Sequence, residues 1–249
     1  MLLAIDIGNT RTNFGVFNQS GELLSHLFMP TSYDEKIYSL QLGKFWAVER
    51  VVCASVVPKA TEALAKACTS AGLNLEIITP QEGLGVAFNG LDYTALGADL
   101  FVNAVASAHL WNRDTLTVDL GTASKFCVMK SGVYLGTALV PGMELSFNAL
   151  IQGAALLQET PLARPDKVIN GNTTQCLQAG IYYGYLELVR GMISRIKKER
   201  GELFVILTGG IGSFLVDDLR DVIEAFDPTL TLLGINIAAQ KITSKLHKD

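Results

Sequence analysis

Asp6 closes an aliphatic run, Leu2 to Ile7, and Gly8, Asn9 and Thr10 follow at once. A carboxylate at a strand end beside a tight glycine turn can hold a metal-phosphate group. Gly8 lets a ligand approach the backbone, the turn amides with Asn9 and Thr10 can bind phosphate oxygens, and Asp6 can hold Mg²⁺ directly or through water. The same residues also suit an ordinary hairpin turn. The design recurs at Asp119-Leu120-Gly121-Thr122-Ala123, an offset of 119 − 6 = 113 residues in a chain of 249. Asp119 is there a second metal candidate, or simply a partner for its own turn. A third glycine loop, Thr208-Gly209-Gly210-Ile211-Gly212, follows the apolar run Leu203 to Leu207. A nucleotide can lie against such a backbone, although glycines also punctuate plain strand-helix turns. Asp99, after Gly97 and Ala98, falls at the start of a predicted helix. There a carboxylate either caps the helix or accepts a proton from a substrate hydroxyl.

The elements that must position these groups alternate. Leu2 to Ile7, Phe14 to Phe17 and Leu23 to Met29 read as strands, with a weaker helix over 34–48 and a strand over Val51 to Val57. Pro58 suits the first turn of a helix that Gly72 ends. The second half runs in much the same order. Strands are predicted at Thr115 to Asp119, Phe126 to Met129 and Val133 to Val140, then a long helix after Thr173, a strand at Leu203 to Leu207 and a helix. A short strand around Leu230 to Leu233 and a terminal helix close the chain. The repeated strand-Asp-x-Gly pattern predicts two similar α/β domains, 1–113 and 114–249, with Asp6 and Asp119 facing one cleft.

Composition narrows the function. The chain is 49% hydrophobic and 18% charged with net charge −4, the profile of a globular protein without the basic footprint of a nucleic-acid binder. No apolar run approaches the length of a membrane span, and Asp6 breaks the first one too early for a signal peptide. A cytoplasmic protein is expected. Cys53, Cys68, Cys127 and Cys176 are scattered, which argues for reduced thiols rather than a zinc or disulfide framework. His26, His109 and His247 show no paired spacing and read as structural or solvent-facing; Trp46 and Trp111 read as core or interface residues.

Three glycine loops in this order resemble the actin, hexokinase and Hsp70 superfamily, and within it the type III pantothenate kinases over nearly the full chain. Supporting segments are Asp6 to Thr10 with Gly15, Ser55-Val56-Val57-Pro58, Gly97-Ala98-Asp99 with Asn103 to Ala106, and Asp119 to Ala123. Gly136, Pro141-Gly142, Gly171-Asn172-Thr173-Thr174, Gly180, Gly184 and Thr208-Gly209-Gly210 continue the set. The resemblance implies two ribonuclease H-like (actin-like ATPase) domains, each a mixed five-stranded sheet flanked by helices. It implies ATP-dependent phosphorylation of pantothenate, the first step of coenzyme A biosynthesis, with Asp99 as general base. Asp6, Gly8, Asn9, Thr10, Gly121, Thr122, Gly209 and Gly210 would bind ATP. Gly97, Ala98, Asp99, Pro141, Gly142 and Thr173 would bind pantothenate. Asp6 and Asp119 would meet Mg²⁺. A monovalent cation (K⁺ or NH₄⁺) and a homodimer, with the Gly180/Gly184 helix at its interface, are also implied.

The chain departs from the family pattern on the substrate and cation side. Leu100 stands where the family has Arg after Gly-Ala-Asp, and Ser124-Lys125-Phe126-Cys127 replaces two threonines and an Asp connected with the monovalent cation. Lys125 supplies a fixed positive charge or is a solvated strand residue. Phe88 to Tyr93 lacks the expected Tyr and Pro, so Tyr93 inherits no substrate role. Two alternatives follow: another small-molecule kinase of the superfamily, acting on a sugar or acetate-like substrate, or an accessory regulatory protein with little turnover.

Overall fold

The computed structural model describes residues 1–45 and 47–246, so Trp46 and His247 lie outside the described residues. The chain divides into two compact units.

The first unit comprises Met1–Asn112, Ser131–Tyr134 and a stretch beginning at Thr229. Its sheet is built from β1 (Leu2–Ile7), β2 (Arg11–Phe17), β3 (Leu23–Pro30), β4 (Arg50–Ser55) and β5 (Leu75–Ile77), in the order β3-β2-β1-β4-β5. β2 runs antiparallel to β1 and β3, whereas β1, β4 and β5 are parallel. β1 is central, and its aliphatic residues are buried on both faces, as parallel strands covered by helices require. α1 (Glu35–Leu42) and α2 (Pro58–Ser70) cover the sheet through Tyr38, Leu42, Ala60, Leu64 and Ala67. α1 is shorter than the sequence predicts, because Gly43 ends it. α3 (Ala98–Trp111) packs against α7 (Leu230–Leu246).

The second unit comprises Arg113–Lys130 and Leu135–Pro228. Its sheet comprises β6 (Thr115–Leu120), β7 (Ala123–Lys130), β8 (Val133–Pro141, whose first two residues are counted with the first unit), β9 (Phe204–Thr208) and β10 (Ala225–Phe226), in the order β10-β9-β6-β7-β8. β6 is antiparallel to β7 and parallel to β9, and β9 is parallel to β10. Read from the opposite edge this is the strand order of the first sheet, with β6 in the place of β1. α4 (Met143–Gly153), α5 (Thr173–Arg200) and α6 (Gly212–Leu219) complete the unit, and Tyr182, Tyr185, Leu186, Val189 and Ile193 of α5 join the core formed by β6 and β9. Asn172 caps α5 by accepting the Gln175 N–H at 2.9 Å. Lys197, Lys198 and Arg200 fill its last turn, where the helix dipole favours cations.

Two sequence expectations change. Leu230 to Leu233 is not a strand but the first turn of α7; the second unit's edge strand is Ala225–Phe226. A short apolar run has no periodicity that separates strand from buried helix. Burial of Leu230, Leu232, Ile235, Ala238 and Ala239 shows that this run is covered on several sides. For the same reason the terminal segment packs on α3 and β1, so it belongs with the first unit and not with residues 114–228. No described helix is long and apolar enough to cross a membrane.

Candidate active site

Each unit carries an Asp at the same place in the same hairpin. In the first, Asp6 is the register partner of Asn13, whose amide donates to Asp6 Oδ2 at 2.9 Å. The turn between them is tied down. Gly8 N–H donates to Arg11 O at 3.0 Å, Thr31 Oγ1 donates to Gly8 O at 2.6 Å, and Thr31 N–H donates to Thr10 O at 3.0 Å. Asn9 and Thr10 remain exposed, so this is a rigid turn with a polar rim open to a ligand. Thr31 and Asn13 are contributions that the linear pattern did not reveal, since one comes from the far end of β3 and the other from hairpin register.

Gly97, Ala98 and Asp99 belong to the same unit. Val56 N–H donates to Ile7 O at 3.1 Å, and the Val56 side chain lies 3.5 Å from where a Cβ on Gly97 would be. The strand-to-helix segment Ser55 to Pro58 thereby brings the start of α3 to the ends of β1 and β4. Asp99 is half-buried in the first turn of α3, and its Oδ1 accepts the Leu100 N–H at 2.8 Å. A side-chain cap contact and an accessible carboxylate thus coexist, leaving both chemical roles of Asp99 in play.

In the second unit Asp119 pairs in register with Lys125, and Lys125 Nζ lies 2.8 Å from Asp119 Oδ2. Three glycine segments converge on the end of this hairpin. Gly142 N–H donates to Thr122 O at 2.9 Å, and a Cβ on Gly142 would sit 2.1 Å from Gly121 O. Gly209, at φ +90°, comes so close that a Cβ would meet Leu120 O at 2.5 Å and Asp119 Oδ1 at 2.6 Å; Ile211 N–H donates to Leu120 O at 3.1 Å. Asp119, Gly121, Thr122, Gly142, Gly209 and Gly210 therefore form one backbone-lined site, and glycine is required where chains touch. Beneath it Tyr185 bonds to Ser124, and burial pushes the Tyr185 phenol above its ordinary pKa. Pro141 is exposed at the end of β8, next to Gly142. Thr173 lies elsewhere in the unit, on a cavity of about 540 Å³ with Leu150, Leu157, Asn172, Cys176 and Ile181.

Among the described residues no group of three or more His, Cys, Asp or Glu could enclose a metal. A Mg²⁺ ion that arrives with nucleotide phosphates needs only one or two protein carboxylates. Asp6 is a candidate for that role, with its carboxylate oriented by the Asn13 amide. Asp119 is already matched by an ammonium. Cys127, where the resemblance implies a cation-associated carboxylate, is a buried cysteine outside any disulfide.

Two mixed five-stranded sheets of matching order, each with an Asp-x-Gly hairpin at its centre, define the actin-like ATPase fold. Solved structures agree at the level of fold. The activator of the 2-hydroxyisocaproyl-CoA dehydratase from Clostridium difficile, with bound ADPNP, superposes with TM-score 0.58 at 11% identity, covering 99% of this chain and 97% of that one. The inorganic polyphosphate/ATP-glucomannokinase from Arthrobacter gives 0.51 at 17%, covering 98% of both chains. Residues 2–195 match the sequence model of the type III pantothenate kinases. Type III pantothenate kinases from Geobacillus kaustophilus and Moorella thermoacetica are 34% and 35% identical to it, each over 98% of this chain and 99–100% of its own. The chain belongs to the type III pantothenate kinase family.

Proposed function

We propose that this protein transfers the γ-phosphoryl group of ATP to the primary hydroxyl of pantothenate, giving 4'-phosphopantothenate and ADP. The observation that carries the proposal is the family match over residues 2–195, a span that contains both Asp-x-Gly hairpins and Asp99. Phosphoryl transfer needs positioning and charge neutralisation more than covalent help. Nucleotide phosphates are bound by amides and hydroxyls of Gly8, Asn9 and Thr10 and of Gly121 and Thr122, with Gly209 and Gly210 against the adenosine. Mg²⁺ bound with ATP would be held by Asp6 and would neutralise phosphate charge. Asp99 accepts the proton of the attacking hydroxyl as the oxygen-phosphorus bond forms and ADP leaves. Gly97, Ala98, Pro141, Gly142 and Thr173 contact pantothenate. The proposal carries with it a cytoplasmic homodimer.

A coupled ADP-release assay tests this, with ATP, Mg²⁺ and pantothenate, glucose or acetate, each with and without K⁺ or NH₄⁺. Turnover on pantothenate alone is expected. Turnover on glucose or acetate instead would make it another kinase of the same fold. No turnover on any of them would favour an accessory binding protein.

A further inference from the structure

Lys125 is a positive charge held just beyond a glycine loop, and neither stability nor fold explains it. The Lys125 and Asp119 side chains are only 17% and 11% exposed. An ion pair so sheltered loses hydration on both partners and commonly stabilises no better than apolar residues of the same size. The twin hairpin of the first unit shows that the architecture does not demand a cation there, because Asn13, a neutral amide, serves at the matching register position opposite Asp6. The location is also specific. Lys125 is three residues past Thr122 on β7, and its register partner Asp119 is two residues before Gly121 on β6. The ammonium is thus fixed at the base of the loop on which Gly142 and Gly209 converge.

We infer that Lys125 is the fixed cation of this second phosphate loop: its ammonium, oriented by Asp119, binds the phosphate oxygens of the nucleotide. Asp119 then acts as the positioning residue for Lys125 and is not a metal ligand, and Asp6 is the carboxylate that meets Mg²⁺. An ammonium on a strand needs no uptake from solution, so phosphate binding at this loop does not depend on added monovalent cation. The inference rests on the ATP-dependent activity proposed above, but concerns nucleotide binding and is tested without pantothenate.

The test is ADP binding by calorimetry, with Mg²⁺ and with EDTA, for the whole protein and for Lys125→Met, Lys125→Arg and the double variant Lys125→Met/Asp119→Asn. The double variant keeps the site free of an uncompensated carboxylate should Lys125→Met alone fold poorly. Loss of a charge-assisted contact to phosphate predicts about 10- to 100-fold weaker ADP binding for both Met variants. Melting temperature should stay close to wild type in the double variant, and Lys125→Arg should recover part of the affinity. Ammonium or methylammonium at millimolar levels should tighten ADP binding to the Met variants and leave wild type unchanged, a rescue that a merely structural lysine would not give. Wild-type ADP affinity in a folded double variant, or tighter binding by wild type on addition of ammonium, overturns the inference. Failure of wild type to bind ADP overturns both this and the kinase assignment. Failure to phosphorylate pantothenate, with ADP binding intact and sensitive to Lys125, removes only the latter.

Discussion

Asp99 and Gly142 separate two kinds of residue at this site, one needed for what its side chain does and one for having none. Asp99→Asn keeps an oxygen that can accept the Leu100 N–H but is a very poor base. If the carboxylate accepts the substrate proton, pantothenate turnover should fall by about 10²-fold or more with little change in melting temperature. If it is only a cap, turnover should persist. Leu100→Arg is the companion measurement: restoring the family's cation should lower the KM for the anionic substrate, and an unchanged or higher KM would mean that the site is built around Leu100. Gly142→Ala acts by another route. Its Cβ would meet two backbone carbonyls, Gly121 O at 2.1 Å and Thr122 O at 2.5 Å, and neither belongs to a flexible side chain. The second loop must move, so nucleotide affinity should drop, with a stability loss of about 1–3 kcal/mol. Wild-type ADP affinity in Gly142→Ala would show that the loop's position is immaterial. Asp6 and Asp119 were legible because Asp before an apolar residue and Gly at a strand end is a local pattern, and Asp99 because Gly-Ala-Asp opens a predicted helix. Asn13, Thr31 and the Lys125–Asp119 pair were not, because each depends on which residue faces which across strands.

At the scale of elements, the two hairpins show how little sequence is needed to repeat a device. β1 and β6 share no long identity, yet each is a central strand buried on both faces that ends in Asp, an apolar residue and Gly. The terminal helix shows the opposite. α7 presses Gly234 onto α3 so closely that a Cβ would lie 2.1 Å from Val102 O. Gly234→Ala should therefore destabilise the protein by about 1–3 kcal/mol in chemical unfolding, despite alanine's better helix propensity. A stabilised variant would show that the two helices can part without cost. Lys241 ties α7 to the segment between β5 and α3 by donating to Leu84 O at 2.9 Å, and burial lowers its pKa.

For the whole molecule, the proposed homodimer can be tested through exposed features of the second unit. Leu139, Leu150, Leu156, Val168 and Ile169 are 50–95% exposed, apolar side chains that a partner copy would cover. Gly180, Gly184 and Gly191 line one exposed face of α5, with nothing within 4 Å of where their Cβ atoms would be. A close helix contact between two copies would use both features. Sedimentation should give twice the chain mass at micromolar concentration, and Gly184→Trp should shift the protein to monomer. A wild-type monomer under those conditions would remove the dimer from the proposal.

Contiguous stretches of residues were enough to read the class of fold, the two Asp-x-Gly hairpins, the third glycine loop and the place of Asp99 at a helix start. Each of these is a contiguous pattern whose meaning comes from backbone geometry: strand, tight turn, helix start. Tertiary structure alone decided that Leu230 to Leu233 is helix, that the terminal segment packs with the first unit, and that Gly142 and Gly209 press against the hairpin of Asp119. It also decided that Lys125 is an ion-pair partner and not a solvated strand residue. Those outcomes depend on contacts between residues tens of positions apart, or on hairpin register, where a slip of one residue would turn a side chain to the other face of the sheet.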